Sequence, residues 1–468
     1  MSSAAQSSST REAASHPPGR RPGASFIPLI AMALFVGVGF LTYGLTHSFL
    51  LLVIFLVCVL IAFAWYIGAT NSIGIFLLLI PLQWLVIALL QFNGVAEYKL
   101  ISALKELFLV GAILWALHRS SRLQLTLPDI LLGAALLVVF FEQLFHTDML
   151  GLRDDWEWVL PYALGRLLIL TPAVQARWAK CAVWMCAVLA VIGIWEVQFL
   201  GSAPRLLLLN ASQGDTRLPS AFLATGYAGF RAASTMVSPL SFSALCVVAL
   251  VLWWTYMKNP IPALLIAAGL TMTLTRSAVA AAVVALLVLA VRRRERGRVA
   301  LFSAVFVIGL LIAVSTLDLR QFVNATFSSG ADLSTVGHKT SVVKGFNAML
   351  ENPLGIGAGT VGPHQAVTNG DVLQIESSYL VVAVEYGVLV GLLYSAFVAS
   401  ALWSIFQLRE PVTYAAFSLL LGFALLLAVG PIHLDIPLAC WVWCWVGMGV
   451  TCAADTASIP TLQVGPSR

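Results

Sequence analysis

The sequence predicts an all-α protein that crosses a membrane with roughly 12–14 transmembrane helices and carries one large periplasmic loop. Of its 468 residues, 60% are hydrophobic and 10% are charged, and the mean hydropathy is +0.93. Apolar runs of about 20 residues, long enough to cross the hydrocarbon layer as helices, recur from residue 27 to residue 450. Because hydrocarbon satisfies no open backbone polar groups, spanning segments are helices or closed barrels, and long unbroken apolar runs favour helices. A soluble domain of useful size is excluded.

Hydropathy and turn residues define the individual spans. Segment 159–175 is the weakest of them, because Pro161, Arg166 and Pro172 interrupt its apolar run. The first span has no small-residue cleavage site and leads directly into the next, so we interpret it as an anchor rather than a signal peptide. The predicted spans lie near 27–45, 49–68, 72–91, 100–118, 128–146, 159–175, 181–200, 235–257, 260–275, 277–291, 299–316, 378–400, 413–430 and 436–454.

Polar segments flank and interrupt this transmembrane domain, residues 26–456. Residues 1–25 are rich in Ser, Ala and Pro and are predicted to be a disordered cytoplasmic tail, and residues 457–468 to be a second cytoplasmic tail. Cytoplasmic loops accumulate Lys and Arg, so the arginine cluster at 292–298 fixes the orientation in the inner membrane. Two longer loops then face the periplasm, near 201–234 and 317–377.

Several features give no functional signal. The arginine cluster at 292–298 is interpreted as a topology anchor rather than as a nucleic-acid site, and no nucleic-acid partner is expected. The seven cysteines show neither metal-ligand spacing nor a disulfide framework and are interpreted as core residues. Glu106, Glu142 and Glu196 lie within predicted spans and are interpreted as paired or interfacial groups rather than as a proton pathway. No nucleotide-binding or metal-binding motif occurs, so ATP, a metal or another cofactor is not expected.

The longest outward loop contains a predicted amphipathic helix, His338 to Leu350, with Val342, Phe346 and Met349 on one face. An Asn-Pro-Leu-Gly turn ends this helix, and glycines follow at alternate positions, Gly355, Gly357 and Gly359. These glycines allow the backbone either to pack tightly or to approach a phosphate. A structural turn is favoured, because no strand precedes the glycines and no helix follows them directly.

Three segments in this half of the chain together resemble a known family. The stretch 352–357, followed by 376–380 and 385–391, resembles the signature loop and helix of the O-antigen ligase and polysaccharide polymerase family. The stretch 230–239 resembles the arginine-containing start of a central span in that family, and 275–278 resembles an arginine-containing turn between adjacent helices. The resemblance covers about residues 200–400, in the same order as in the family.

This resemblance implies a membrane glycosyltransferase with its active site facing the periplasm. Members of the family take a glycan linked through pyrophosphate to undecaprenol and transfer it to a sugar acceptor. The implied partners are therefore an undecaprenyl-pyrophosphate-linked donor, a glycan acceptor and membrane lipid, with a flippase and a chain-length regulator as protein partners.

Two arginines are the predicted binding site for the pyrophosphate. Breaking a sugar–phosphate bond places negative charge on the leaving group, and a fixed cation stabilises that charge. Arg231 and Arg276 lie at the outer ends of predicted helices, and arginine binds phosphate oxygens in pairs without losing its charge. Their alternative role is that of interfacial anchors. Other outward cations are interpreted as solvated loop charges, with Arg320 kept as an alternative site residue: Arg205, Arg217, Arg320, Lys339 and Lys344.

Glu376 is the predicted catalytic group that receives or orients the proton of the acceptor hydroxyl. In the ligase branch, the resembling motif has a histidine at the position of Glu376, eleven residues before the glycine that corresponds to Gly387. This departure favours a polymerase. His338 and His364 are alternative bases, and the structural alternative is that Glu376 caps the span that follows it.

The expected function is polymerisation of lipid-linked repeat units into exopolysaccharide or O-antigen. The first alternative is a ligase that transfers the finished glycan to lipid A–core. A polysaccharide flippase or secondary transporter is the alternative from another class, but such transporters often contain internal repeats. We find no convincing repeat between the two halves of the sequence.

Overall fold

The structure is a computed structural model. It describes residues 67–92, 98–119, 124–143, 149–213, 230–295, 297, 333–361, 373 and 375–457. The chain forms two compact units, residues 1–72 and 73–468, and all the site residues discussed below belong to the second unit. The predicted spans 27–45 and 299–316 and the predicted tail 1–25 lie outside the described residues, as does nearly all of 49–68 and of 457–468.

All the secondary-structure elements in the described ranges are helices. A 3-10 turn, Ile80–Leu82, separates the first two, and another, Ile432–Leu434, precedes the last. In chain order, the α-helices are α1 Ala69–Leu79, α2 Gln83–Phe92, α3 Tyr98–Arg119, α4 Leu127–Gln143, α5 Met149–Trp156, α6 Val159–Leu167, α7 Pro172–Trp195, α8 Ala203–Gln213, α9 Pro239–Tyr256, α10 Ile261–Met272, α11 Arg276–Arg293, α12 Leu333–Glu351, α13 Ser378–Phe406, α14 Pro411–Val429 and α15 Ile436–Ala457.

Several of these helices have the length and composition of membrane spans. Within the described residues, six helical segments are long and apolar enough to cross a membrane: Ala69–Leu89, Pro172–Leu200, Pro239–Tyr256, Ser378–Phe406, Pro411–Val429 and Pro437–Thr456. The prediction of an all-α polytopic membrane protein is therefore confirmed.

The boundaries predicted for the sixth and seventh spans were wrong. Residues 159–175 do not form one helix, because α6 ends at Leu167 and Pro172 begins a new helix. Proline lacks a backbone N–H and fits the first turn of a helix, so it starts α7 here instead of lying inside a span. Together, α7 and a π-helical turn, Glu196–Leu200, make a single helical segment that starts nine residues before the predicted 181–200.

The short helices α5 and α6 bring the chain back to the start of α4. Arg166, near the end of α6, donates from Nε to Asp129 Oδ1 at 2.9 Å, and Asp129 lies in the first turn of α4. Arg166 Nη1 also donates to Thr451 Oγ1 in α15 at 2.7 Å. The end of α6 therefore lies at the end of the bundle where α4 begins and α15 finishes.

Close packing between α6 and α15 forms the centre of the core. A Cβ atom at Gly165 would collide with the backbone of Cys444, and a Cβ atom at Gly447 would collide with the backbone of Tyr162. Glycine at both positions allows the two helices to approach closely, as small residues do between membrane helices. The described cysteines Cys186, Cys246, Cys440 and Cys444 are buried, as expected for core residues, whereas Cys181 is exposed and Cys452 is partly exposed.

Arg292, at the end of α11, forms hydrogen bonds with the C-terminal end of α13. Its Nη2 atom donates to the carbonyl oxygens of Phe406 at 2.6 Å and Leu408 at 2.8 Å. The guanidinium also lies over the rings of Phe406, Tyr414 and Phe417, at 4.6–5.0 Å from their centroids. Arg292 thus satisfies carbonyl groups that the end of a helix leaves open.

Candidate active site

The first part of the candidate site is the pair Arg231 and Arg276. Arg231 lies in the segment that leads into α9, and its Nε donates to the carbonyl of Thr273 at 2.8 Å. Its Nη2 donates to Thr275 Oγ1, also at 2.8 Å, and the backbone N–H of Ala232 donates to Met272 O at 3.0 Å. The short turn between α10 and α11 therefore holds Arg231 next to Arg276, the first residue of α11.

The two arginines concentrate positive charge at a helix start. Burial, and then the neighbouring Arg276, lower the pKa of Arg231 to about 10, so its guanidinium remains charged at neutral pH. Arg276 is exposed, and the start of α11 adds the partial positive charge of a helix N-terminus. Two cations beside a helix start favour a bound anion, and a phosphate group has the charge and the acceptor oxygens for this position.

The second part of the site is a contact between Glu376 and His338. His338 Nδ1 and Glu376 Oε2 form an ion pair when the imidazole is protonated, and both side chains are about half exposed. The backbone N–H of Glu376 donates to Ser341 Oγ at 2.8 Å, one turn along α12 from His338. The segment before α13 therefore brings together two residues that the sequence analysis named as separate candidates for the base.

Helix α12 packs against this segment through a different face from the predicted one. Gly345 packs against Ile375, with a Cβ atom at Gly345 placed 3.2 Å from the Ile375 side chain. Met349 packs against the same small cluster, as predicted, but Val342 and Phe346 are 45% and 50% exposed. The face of α12 that packs against the protein includes Ser341 and Gly345. These small residues permit a close contact, which places His338 beside Glu376.

The glycine-rich segment after α12 forms hydrogen bonds with backbone groups at a kink in α13. Gly387 has φ 87° and ψ 163°, which interrupts the helical hydrogen bonds of α13. The N–H groups of Ile356 and Gly357 donate to the carbonyls of Val384 and Glu385 at 3.0 Å. Val388 N–H donates in the other direction, to Pro353 O at 3.0 Å. The segment thus supplies partners for backbone groups that the kink leaves open.

Glycine is required on both sides of this contact. A Cβ atom at Gly355 would lie 2.5 Å from Glu385 O, and one at Gly387 would lie 2.8 Å from the carbonyl carbon of Leu354. Both residues also have positive φ angles, which other residues rarely adopt. The interpretation of these glycines as a structural turn agrees with this geometry.

A layer of buried charged residues was missed by the sequence analysis. Tyr386 OH donates to Asp155 Oδ2 at 2.6 Å, and Val361 N–H donates to Glu385 Oε1 at 2.8 Å. Lys105 Nζ lies 2.6 Å from Glu157 Oε1, and both side chains are buried. The run 153–157 looks like a loop because it is charged, but three of its carboxylates and cations find partners on other helices. A local window of sequence contains no sign of those partners.

The remaining expectations concerned individual charged residues. Glu106 is paired, as expected, but with Arg153, whose Nε donates to Glu106 Oε1 at 2.6 Å. The expectation that Arg205 is a solvated loop charge was wrong, because its side chain is 1% exposed and pairs with Glu196. Lys339 and Lys344 are exposed, as expected for solvated charges. The remaining candidates Arg217, Arg320 and His364 lie outside the described residues.

Both parts of the site lie at one end of the bundle, which we call the site end and define by the starts of α9, α11 and α13. Ser378 Oγ donates to Gly430 O at 2.8 Å, and Gly430 packs against Leu240 in the first turn of α9. Glu376 directly precedes α13, and Arg231 lies in the segment leading into α9. The arginine pair and the Glu376–His338 pair therefore share the site end.

Comparison with known proteins finds a family model that matches one segment of the chain. Residues 261–395 match the family model described as O-antigen ligase. The matched segment includes Arg276, His338, Glu376 and Gly387, and Arg231 lies before it. A comparison with curated proteins finds no match. The family match agrees with the motifs recognised in the sequence and with the helical membrane architecture, and it supports the resemblance of this segment to the O-antigen ligase and polymerase family.

Proposed function

We propose that the protein polymerises undecaprenyl-pyrophosphate-linked oligosaccharide repeat units into exopolysaccharide or O-antigen at the periplasmic face of the inner membrane. The observation that carries this proposal is the arrangement at the site end. Two arginines lie at the start of α11, and a histidine–carboxylate pair lies next to the start of α13. The first group suits a departing pyrophosphate, and the second suits the proton of an attacking hydroxyl.

The arginine pair and the His338–Glu376 pair have different roles in the reaction. The hydroxyl oxygen of the acceptor attacks the anomeric carbon of the donor sugar, and the bond between that carbon and the phosphate oxygen breaks. Arg231 and Arg276 hold the oxygens of the leaving lipid pyrophosphate, which takes the bonding electron pair. Because the cations are already in place, they stabilise this charge without reorganising during the reaction.

His338 and Glu376 receive the proton of the attacking hydroxyl. Glu376 Oε2 lies beside Nδ1 of His338, so a proton on Nδ1 leaves Nε2 as the basic atom of the neutral imidazole. A carboxylate that orients a histidine in this way also stabilises the imidazolium that forms. The imidazole found at the position of Glu376 in the ligase branch is here supplied by helix α12.

A ligase activity, which would transfer the glycan to lipid A–core, is the second candidate function. The description of the matching family model as O-antigen ligase favours it. The glutamate at position 376 favours the polymerase instead, because it departs from the histidine of the ligase branch. A flippase and a chain-length regulator would be partners of the polymerase.

The test is complementation of a knockout strain with Arg231→Ala, Arg276→Ala or Glu376→Gln, followed by analysis of lipid-linked intermediates. Accumulation of single repeat units supports the polymerase, and polymerised glycan that remains on the lipid carrier supports the ligase. Lys344→Ala, an exposed charge on α12, is the matched control and should leave the glycan unchanged. Normal glycan in all three site variants would refute the site.

A further inference from the structure

A buried ion pair lies beneath the segment that carries Arg231. Glu196 begins the π-helical turn after α7, and Arg205 lies in the first turn of α8. Arg205 Nε and Nη2 lie 2.9 Å and 2.7 Å from Glu196 Oε1, and the guanidinium lies over the Trp84 ring at 5.0 Å from its centroid. Charges buried this deeply are stable only where further hydrogen bonds satisfy them. The other hydrogen-bond partners of Glu196 and Arg205 therefore show which part of the chain the pair fixes in place.

Those partners are the backbone groups of one strained turn. Glu196 Oε2 accepts from the N–H groups of Ser234 at 2.8 Å and Ala233 at 3.3 Å. Arg205 donates from Nη1 to Met236 O at 2.9 Å and from Nη2 to Ser234 O. Ser234 has φ 53°, a left-handed conformation that residues with a Cβ atom rarely adopt. A conformation of this kind persists only where its surroundings enforce it, and here the ion pair does so.

This turn determines where Arg231 lies. Ser234 follows Arg231 by three residues, and the backbone between them is fixed on its other side by the bond from Ala232 N–H to Met272 O. Arg231 is thus held between the end of α10 and the Glu196–Arg205 pair. A π-helical turn at this point is also typical of functional sites in helices.

We propose that Glu196 and Arg205 are positioning residues, which set the guanidinium of Arg231 for the donor pyrophosphate; this inference rests on the proposed function of Arg231. The donor or acceptor character of each side chain matters as well as its charge. The carboxylate accepts from N–H groups, and the guanidinium donates to carbonyls, so neither a neutral amide nor an ammonium group reproduces the arrangement. A group displaced by about 1 Å loses much of its effect on a reacting centre.

The first experiment measures steady-state kinetics of the full-length protein in liposomes, with Glu196→Gln and Arg205→Lys. We expect KM for the lipid-linked donor to rise by about tenfold or more, while KM for the acceptor stays within about twofold. A pair that only supports folding would lower the amount of active protein, and therefore the apparent kcat, and would leave KM for both substrates unchanged. That result would overturn the inference.

The chain provides a matched control in Arg292, which also bonds two backbone carbonyls but lies at the far end of α13. Arg292→Lys should leave KM for the donor unchanged. An equal rise in donor KM for Arg292→Lys and Arg205→Lys would show that any arginine-to-lysine change disturbs the site, and would overturn the inference.

A double-mutant cycle tests whether the pair acts through Arg231. Combining Arg205→Lys with Arg231→Ala should be scarcely worse than Arg231→Ala alone, because the displaced group is already absent. Independent, multiplicative losses would overturn the inference. If Arg231→Ala alone keeps wild-type activity, the proposed function fails by itself. Loss of donor affinity in Glu196→Gln would then show that the pair does not act through Arg231.

Amide hydrogen exchange tests the geometry without any assay of activity. The N–H groups of Ala233 and Ser234 should exchange slowly in the wild-type protein and faster in Glu196→Gln. The N–H of Ala232 serves as the internal reference, because its acceptor lies on α10. Unchanged exchange at Ser234 in Glu196→Gln would overturn the inference.

Discussion

Replacing Arg231 with lysine should make the activity fall as the pH rises through a range in which the arginine of the wild-type enzyme stays charged. The substitution keeps a positive charge at the same place but lowers the intrinsic basicity of the group. The partly buried position of Arg231 and the neighbouring Arg276 disfavour any additional positive charge there. The same two influences would therefore act on the ammonium group of the variant.

The size of the effect follows from the pKa of the native residue. Burial and the neighbouring Arg276 lower the pKa of Arg231 from its ordinary, higher value to about 10, which still leaves the residue charged up to about pH 9. Lysine starts lower, at about 10.4, so the same environment makes it titrate between about pH 7 and pH 9. Raising the pH across that interval removes the proton and the charge, so the activity of Arg231→Lys should fall by about tenfold.

The assay measures polymer formation from lipid-linked repeat units in liposomes between about pH 6.5 and pH 9, normalised for each variant to its own maximum. Normalisation is needed because lysine lacks the planar fork of arginine and is expected to be slower at every pH. Arg276→Lys is the control, because Arg276 is exposed and an exposed lysine stays charged below about pH 9. A profile of Arg231→Lys that falls no further than that of the wild-type enzyme between about pH 7 and pH 9 would refute the electrostatic argument.

Three further predictions follow from the site and its support. Gly387→Ala should lower the free energy of unfolding by about 2 kcal/mol or more, measured by thermal unfolding in detergent, because φ is positive and the new Cβ meets the backbone of Leu354. Gly111→Ala, in open space on α3, should be neutral or slightly stabilising, and equal effects of the two would contradict the proposed contact. His338→Ala should reduce kcat by about 10²-fold or more with little change in donor KM, whereas the exposed neighbour Lys339→Ala should retain wild-type kcat; a wild-type kcat for His338→Ala would exclude His338 as the base. Purified protein should polymerise the donor in EDTA without nucleotide, and restoration of lost activity by a divalent metal ion would contradict metal independence.

Several elements were predictable because the relevant signal is local. Helices α3, α9, α13, α14 and α15 lie close to their predicted boundaries, since long apolar runs leave few alternatives in lipid. The end of α12 was also predictable, because the residue before Pro353 disfavours a helical backbone. Two adjacent spans were misplaced because hydropathy averages over a window, whereas a single proline decided where α7 begins.

The sequence by itself determined the fold class, the resemblance to the O-antigen ligase and polymerase family, and the choice of two arginines as candidates for the site. The hydropathy of a segment indicates whether it lies in lipid or in water, and the two arginines lie next to recognisable turns. Each of these signals is therefore contained within a short stretch of the chain. Only the tertiary structure decided that His338 meets Glu376, that the segment around Gly355 completes the hydrogen bonds broken at Gly387, and that Arg205 is buried. In each case a polar group is satisfied by a partner far away in the sequence. The energy of a buried charge or an open backbone group depends on that partner, and no local pattern specifies it.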